Sequence, residues 1–216
     1  MPFTSPEMPV AASITGIPIS IVNNAADWVF SKMLRDYPDL KLALSEGGIG
    51  WIPYFLERAD YVYQHHHQWT HQDFGDKLPS EVFREHFITC FIDDAAGVKN
   101  RHAVGIDTIT WECDYPHSDT TWPNAPEILA KSMEGVPDDE VNKITYENAL
   151  RHFRLDPFSV RPREKCTAAA LRAESPDVDL SLTSQGGKPP SDGAGPFVTT
   201  RDVTTQLATA FSTPAE

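Results

Sequence analysis

The pattern of hydrophobic positions divides the chain into short apolar runs and longer segments with helical periodicity. Residues 40–45, 87–92 and 107–113 are short runs rich in aliphatic, aromatic or β-branched side chains, and we predict a strand in each. Apolar side chains three or four positions apart predict helices around these runs, over residues 23–37, 53–69, 95–104, 127–133 and 138–153. Alternating strands and helices are typical of right-handed β-α-β units. The sequence therefore predicts an α/β fold with a parallel sheet.

The two ends of the chain lack this pattern. Residues 1–19 are rich in proline and serine and predict an irregular lead-in. From 161 to 216 the only aromatic side chains are Phe197 and Phe211, among six prolines and two glycine-rich runs. Such a segment buries little apolar surface, so we predict a disordered tail at 161–216 and a folded domain at 20–160.

Composition and charge narrow the class of protein. The 216 residues are 40% hydrophobic and carry 18 basic and 31 acidic side chains, a formal net charge of −13. This hydrophobic fraction excludes a wholly disordered chain, and no apolar run reaches the roughly 18 residues of a membrane span. The acidic balance argues against nucleic-acid binding, and no secretory signal is visible, so we expect a cytoplasmic protein. Three widely spaced cysteines predict reduced thiols.

Acidic residues follow each predicted strand: Glu46 the first, Asp93 and Asp94 the second, and Asp114 the third. Because the carboxyl ends of parallel strands share one edge of the sheet, we expect these side chains to converge there. Converging carboxylates bind a divalent cation, or raise one another's pKa for acid–base catalysis. Acids also cap helices, and this simpler role is favoured for Asp93 and Asp94. For Glu46 both a capping role and a functional role stay open, because Glu46 is followed by two glycines and not by the start of a helix.

The most informative motif is Asp114-Tyr115-Pro116-His117. Here an ionisable pair at positions i and i+3 follows a buried strand, and a proline stiffens the turn between them. Asp114 can ligate a metal through one oxygen, while His117 can donate to a substrate or orient it. The spacing by itself favours the simpler interpretation, a capped turn with a surface histidine.

Other candidate residues have simpler explanations. Adjacent residues of a helix point about 100° apart, so the histidine run 65–67 cannot face one ion, and we expect a solvated helix end. The glycine-rich segment 47–50 lacks the Rossmann and Walker spacings, although its amides could hold a substrate carboxylate. Trp111 and Trp122 flank the Asp114 motif, either as core residues or as a platform for a substrate.

Three segments together resemble one enzyme superfamily. They are LALSEGGIGWIPYFLER at residues 42–58, WECDYPHSDTTWP at residues 111–123 and ENALRHF at residues 147–153. They resemble the amidohydrolase superfamily, in the amidohydrolase-related branch that includes aminocarboxymuconate-semialdehyde decarboxylase. The resemblance covers about residues 20–158.

This resemblance implies a (β/α)8 TIM barrel with one divalent metal, zinc or manganese, at the carboxyl ends of its strands. It implies hydrolysis of C–N or C–O bonds, or non-oxidative decarboxylation, of a small carboxylated or aromatic substrate. Asp114 would correspond to the metal-ligand aspartate after the last strand, and His117 would contact the substrate. From its place beside the motif, we expect Trp111 to contact the substrate as well. Glu46 stands where many relatives have a histidine that activates water, and a carboxylate can also serve as a general base.

The sequence departs from the family in lacking the histidines that its first and fifth strands supply to the metal. The three predicted strands match only strands six to eight, and a whole barrel needs about 250 residues. We therefore expect the C-terminal portion of a barrel, in a truncated chain. Two alternatives remain. One is an inactive fragment that self-associates through open sheet edges, and the other is a subunit whose missing strands come from a complementing N-terminal half.

Overall fold

The structure is a computed structural model that describes residues 5–181 and 197–212. The chain forms two compact units, one of Met1–Ile21 with Thr183–Glu216 and the other of Val22–Leu182. In the described part none of the helices is long and apolar enough to cross a membrane.

Three parallel strands form the sheet, as the sequence predicts. They are β1 (Leu42–Leu44), β2 (Phe87–Phe91) and β3 (Ile109–Trp111), and they lie side by side in the order β1-β2-β3. Leu42 is aligned with Phe87, and Thr89 is aligned with Ile109. Each strand is shorter than its apolar run, because the flanking residues belong to the turns at the ends of the sheet.

Helices connect the strands within the larger unit. In chain order the α-helices of the described residues are α1 (Val10–Gly16), α2 (Ile21–Phe30), α3 (Met33–Asp36), α4 (Ile52–Thr70), α5 (Pro79–His86), α6 (Ala95–Lys99), α7 (Arg101–Val104), α8 (Ala125–Ser132), α9 (Asp138–Asn142), α10 (Asn148–Phe153), α11 (Ala168–Glu174) and α12 (Thr200–Ser212). A π-helical segment, Lys143–Glu147, joins α9 to α10. The predicted helices 23–37 and 95–104 are each divided in two, and α5 was not predicted.

The centre of the core is β2, which is buried along its whole length. Phe87 and Phe91 are 1% and 0% exposed, and the ring of Phe83 in α5 stacks on Phe87 with centroids 4.5 Å apart. A parallel strand covered on both faces is expected to be a nearly continuous apolar run. This is why residues 87–91 carry such a clear strand pattern in the sequence.

A buried amide fastens the last predicted helix to the beginning of β3. Asn148, the first residue of α10, donates from Nδ2 to the carbonyls of Ile106 at 2.8 Å and Ile109 at 2.7 Å. Its Oδ1 accepts a hydrogen bond from Arg151 at 2.9 Å. A buried amide left without partners costs about 1–3 kcal/mol. These bonds therefore select the position of α10 beside β3.

The chain ends differ from the irregular lead-in at 1–19 and the disordered tail at 161–216 that the sequence predicts. Within the larger unit, α11 begins at a Thr167 cap, and Arg172 pairs with Glu127 of α8 through two hydrogen bonds of 2.5 and 3.1 Å. Within the smaller unit, α1 and α12 lie together, and Ser13 Oγ is 3.1 Å from Thr200 Oγ1. Polar caps and ion pairs stabilise these helices. Apolar periodicity in the sequence does not indicate such interactions. The rest of the predicted tail, 182–196 and 213–216, lies outside the described residues.

One carboxylate joins the turn after β1 to the helix after β2. Asp94 Oδ2 accepts hydrogen bonds from the backbone N–H groups of Ile49 at 2.7 Å and Gly50 at 2.6 Å. Its Oδ1 accepts from Gly97 N–H at 2.7 Å, so the predicted helix cap at Asp94 is confirmed. A Cβ at Gly97 would lie 2.9 Å from Asp94 Cγ, too close for any side chain without displacement. We call this set of three bonds the Asp94 clamp.

We predict that Asp94→Ala lowers the free energy of unfolding by about 2–3 kcal/mol, because three N–H groups lose a charged acceptor. Asp93→Ala is the matched control. Asp93 is exposed and accepts one hydrogen bond, from Ser132 Oγ at 2.7 Å, so its loss should cost less than about 1 kcal/mol. Urea denaturation of the two variants beside the wild-type chain measures the difference. Equal losses would contradict the importance of the clamp.

Candidate functional site

The two outer strands bring a glutamate and the Asp114 motif together at one edge of the sheet. Glu46 lies two residues beyond β1, and Asp114 lies three residues beyond β3. Ligand atoms of Glu46, Asp114 and His117 all lie within 4.8 Å of one another. Glu46 and His117 are exposed and Asp114 is half-buried, so the three groups face a space that a small molecule can reach.

The turn after β3 fixes the pair Asp114 and His117. The Asp114 backbone has φ of 56°, in the left-handed region, and the following Tyr115–Pro116 peptide is cis. The His117 N–H donates to the Asp114 carbonyl at 2.8 Å, and His117 Nδ1 donates to Asp114 Oδ2 at 2.9 Å. The carboxylate therefore orients the imidazole, and His117 Nε2 is the atom left for an ion or a substrate.

Glu46 is held in place through its backbone. Its φ is 58°, a conformation that costs a residue with a Cβ about 1 kcal/mol or more. Its N–H donates to Glu112 Oε1 at 2.7 Å, across the width of β2. Left-handed non-glycine residues cluster at functional sites, and here two of them, Glu46 and Asp114, face each other.

Two of the four amides in the glycine-rich turn already have an acceptor within the fold. The amides of Ile49 and Gly50 already donate to Asp94. Trp51 Nε1 donates to the carbonyls of Gly47 and Gly48 at 3.0 and 3.1 Å, which closes the turn from the other side. The turn therefore positions Glu46 but leaves neither of these two amides for a substrate carboxylate.

The two tryptophans near the site lie beside one apolar cavity. Trp111 ends β3, is half-buried, and donates from Nε1 to the Ile92 carbonyl at 3.1 Å. The ring of Trp122 packs edge-on against Tyr115 at 5.6 Å. Both indoles line a cavity of about 370 Å³ together with Leu171 of α11. Trp111 thus serves in packing and also presents an aromatic wall close to the Asp114 motif.

The side chains of the histidine run at 65–67 make contacts within their own helix, α4. His65 Nδ1 bonds to the Tyr61 carbonyl at 2.8 Å, and its ring stacks on Tyr61 at 3.9 Å. His66 Nδ1 accepts a hydrogen bond from Trp69 Nε1 at 3.0 Å. These contacts fit the solvated helix end that the sequence predicts.

The three cysteines are free thiols in different surroundings. Cys90 in β2 is buried, and this burial raises the pKa of its thiol to about 12. Cys113 and Cys166 are half-buried. Only the thiolate is a strong nucleophile, so Cys90 has no nucleophilic role near neutral pH.

The donor set of the site fits a divalent cation. Two carboxylates and one imidazole nitrogen suit zinc or manganese, and catalytic sites of this kind keep a ligand position for water or substrate. Asp114 keeps one oxygen beyond the bond to His117, and the Glu46 carboxylate is exposed. These residues can therefore hold such an ion without breaking the turn.

One comparison with known proteins identifies a family, and another finds similar folds. A family model described as amidohydrolase matches residues 11–155. No curated protein matches the chain. The crystal structure of the 5-carboxyvanillate decarboxylase LigW from Sphingomonas paucimobilis is similar, with 24% identity and a TM-score of 0.55 over 64% of this chain. An amidohydrolase from Mycobacterium avium subsp. paratuberculosis shows 19% identity and a TM-score of 0.53 over 62% of this chain.

These solved structures share the fold of the described chain but are much longer. The match covers 41% of the decarboxylase and 33% of the mycobacterial amidohydrolase. The chain thus spans less than half the length of either relative. The three parallel strands and their helices agree with part of an amidohydrolase barrel.

Alkylation should distinguish the three thiols. At pH 8 a thiol with a pKa near 12 is only about one part in ten thousand thiolate, so Cys90 should resist iodoacetamide in the folded chain. Cys113 and Cys166 should react first, and all three should react in urea. Peptide mass spectrometry after timed labelling gives the order, and early modification of Cys90 would contradict its burial.

Glu46→Gly should stabilise the chain. Glycine adopts a φ of 58° without strain, which outweighs its greater freedom in the unfolded state, so we expect a gain of about 0.5–1 kcal/mol. Arg154→Gly is the matched control, because Arg154 has φ of 54° at the exposed end of α10. Both variants should unfold at higher urea concentration than the wild-type chain. A loss of stability at Glu46→Gly alone would show that the glutamate side chain supports the fold.

Proposed function

Since the chain belongs to the amidohydrolase family, with its model matched over residues 11–155, we propose that it provides part of a metal-dependent amidohydrolase-type active site. The reaction is hydrolysis or non-oxidative decarboxylation of a small carboxylated or aromatic substrate. In this proposal β1, β2 and β3 correspond to strands six to eight of the barrel. The activity is assigned to the assembled barrel, because the chain spans less than half of its solved relatives.

One observation carries this proposal: Glu46, Asp114 and His117 converge at the carboxyl ends of two strands that are not neighbours. This edge is where α/β barrels place their catalytic groups. The pairing of Asp114 with His117 is also compatible with a purely structural capped turn. Glu46, however, follows a different strand and has a strained backbone. A purely structural turn after β3 would not need a glutamate there.

The residues have separate roles in the proposed reaction. Asp114, whose Oδ2 is bonded to His117, would hold the metal, zinc or manganese. A bound divalent ion supplies a Lewis acid that polarises a carbonyl or carboxylate oxygen. Glu46 is the general base, since an exposed carboxylate within 4.8 Å of Asp114 can accept a proton from water or substrate. His117 contacts the substrate through Nε2.

The aromatic substrate class rests on the surroundings of the site. Trp111 and Trp122 line the apolar cavity beside the Asp114 motif, and aromatic walls favour a flat apolar ligand. The solved relative LigW is a decarboxylase of 5-carboxyvanillate by its description. Both points support an aromatic carboxylate as the first substrate class to assay.

Metal titration tests the proposal. Asp114→Asn should remove stoichiometric binding of Zn²⁺ or Mn²⁺, because an amide oxygen is a far weaker ligand than a carboxylate. Asp119→Asn is the matched control, as Asp119 is exposed on the same loop, and it should bind metal like the wild-type chain. Isothermal titration calorimetry of the full chain measures both.

Two outcomes would contradict the assignment. Full metal occupancy in Asp114→Asn would remove Asp114 from the site. A wild-type chain that binds no metal, even after refolding with Zn²⁺ or Mn²⁺, would contradict a metal site built by this chain alone.

A further inference from the structure

A second glutamate lies beside the site without belonging to its cluster. Glu112 directly follows β3, and its N–H donates to the Phe91 carbonyl at 3.1 Å, so its backbone is fixed against the end of β2. Two residues earlier, Thr110 is aligned with Cys90. Since side chains alternate along a strand, Glu112, Thr110 and Cys90 lie on the same face of the sheet.

The Glu112 carboxylate bridges the sheet from β3 to the residue beyond β1. Its Oε1 accepts the Glu46 N–H at 2.7 Å. This hydrogen bond offsets the cost of the left-handed backbone at Glu46, so it can hold a conformation that Glu46 would otherwise leave.

We infer that Glu112 is a positioning residue, which acts through the Glu46 backbone to keep the Glu46 carboxylate facing Asp114 and His117. The inference deepens the proposed function and rests on it only for the metal. The Asp94 clamp fixes the turn beyond Glu46, at Ile49 and Gly50, so Glu112 is the support on the Glu46 backbone itself. Removing a group that orients the residues around a metal commonly lowers metal affinity or activity 10–100-fold, as a general magnitude.

Three variants separate positioning from a direct role. Glu112→Ala removes the acceptor, whereas Glu112→Gln keeps a carbonyl oxygen of the same reach and removes the charge. If Glu112 positions Glu46, the glutamine variant should behave like the wild-type chain. If Glu112 is itself a ligand or base, both variants should fail equally. Glu57→Ala is the control for charge, because Glu57 is exposed on α4 and its loss changes net charge as Glu112→Ala does.

Hydrogen exchange of the Glu46 amide, followed by NMR on the full chain, is the first measurement. We expect Glu112→Ala to speed this exchange by about tenfold or more, and Glu112→Gln to change it less than about threefold. Unchanged exchange in Glu112→Ala would overturn the inference. If the alanine variant does not fold, Glu112→Asp replaces it, since its shorter side chain keeps the charge but cannot reach the Glu46 N–H.

Mn²⁺ affinity, measured by calorimetry on the same proteins, is the second measurement. Because the Glu46 carboxylate lies within 4.8 Å of the Asp114 ligand atom, its charge stabilises a cation held by Asp114. Glu112→Ala should therefore weaken Mn²⁺ binding about 10–100-fold, with Glu112→Gln and Glu57→Ala close to the wild-type chain. Equal losses in the alanine and glutamine variants would overturn positioning in favour of direct ligation. If the wild-type chain binds no Mn²⁺, a metal site built by this chain alone is ruled out, and the exchange rate of the Glu46 amide still decides whether Glu112 positions that residue.

Discussion

The geometry at the carboxyl edge of the sheet depends on the Asp94 clamp. One carboxylate satisfies three backbone N–H groups from two connections, the turn after β1 and the first turn of α6. Parallel strands have no hairpin to fix their ends relative to one another, so the loops after β1 and β2 need such a link. A Cβ at Gly97 would lie 2.2 Å from Ile49 Cγ1 and 2.9 Å from Asp94 Cγ, so a glycine is needed for this close approach. Glu46 occupies its position because this turn is fixed.

Strained backbone at the site follows from the same constraint. Glu46 and Asp114 both adopt φ near 57°, where a side chain is unfavourable, and each is held by bonds outside its own side chain. For Glu46 these are the clamp and Glu112, while Asp114 is held by the N–H of His117. Strain of about 1–3 kcal/mol per residue persists only where the surroundings over-determine the conformation. The backbone at Glu46 and Asp114 is therefore held by the fold itself, before any ligand arrives.

The sequence predicts the parts of this arrangement that depend on local pattern. The strand at β2 follows from its burial on both faces, and the convergence of Glu46 with Asp114 follows from parallel topology. Glu112 was missed, because its reach across β2 depends on register and on a turn that pattern does not encode. The helix α11 was missed because an ion pair with Glu127 and a threonine cap hold it, not an apolar face. For Glu112, the sequence offers one signal: it is an acidic residue between Trp111 and Asp114, which are both predicted site residues.

Glu46 is the residue that distinguishes a functional site from a structural capped turn, because its side chain does not stabilise the fold. His117 and Asp114 satisfy each other, so their pairing alone is compatible with a structural role. Glu46 is exposed, and its backbone is strained. The two residues that follow it in the turn are glycines, so a glycine at position 46 would also fit the turn. A glutamate at such a position lowers stability and contributes a carboxylate to one place only, the space in front of Asp114. Departures from local rules of this kind mark functional sites, and the strain at Glu46 therefore favours chemistry over packing.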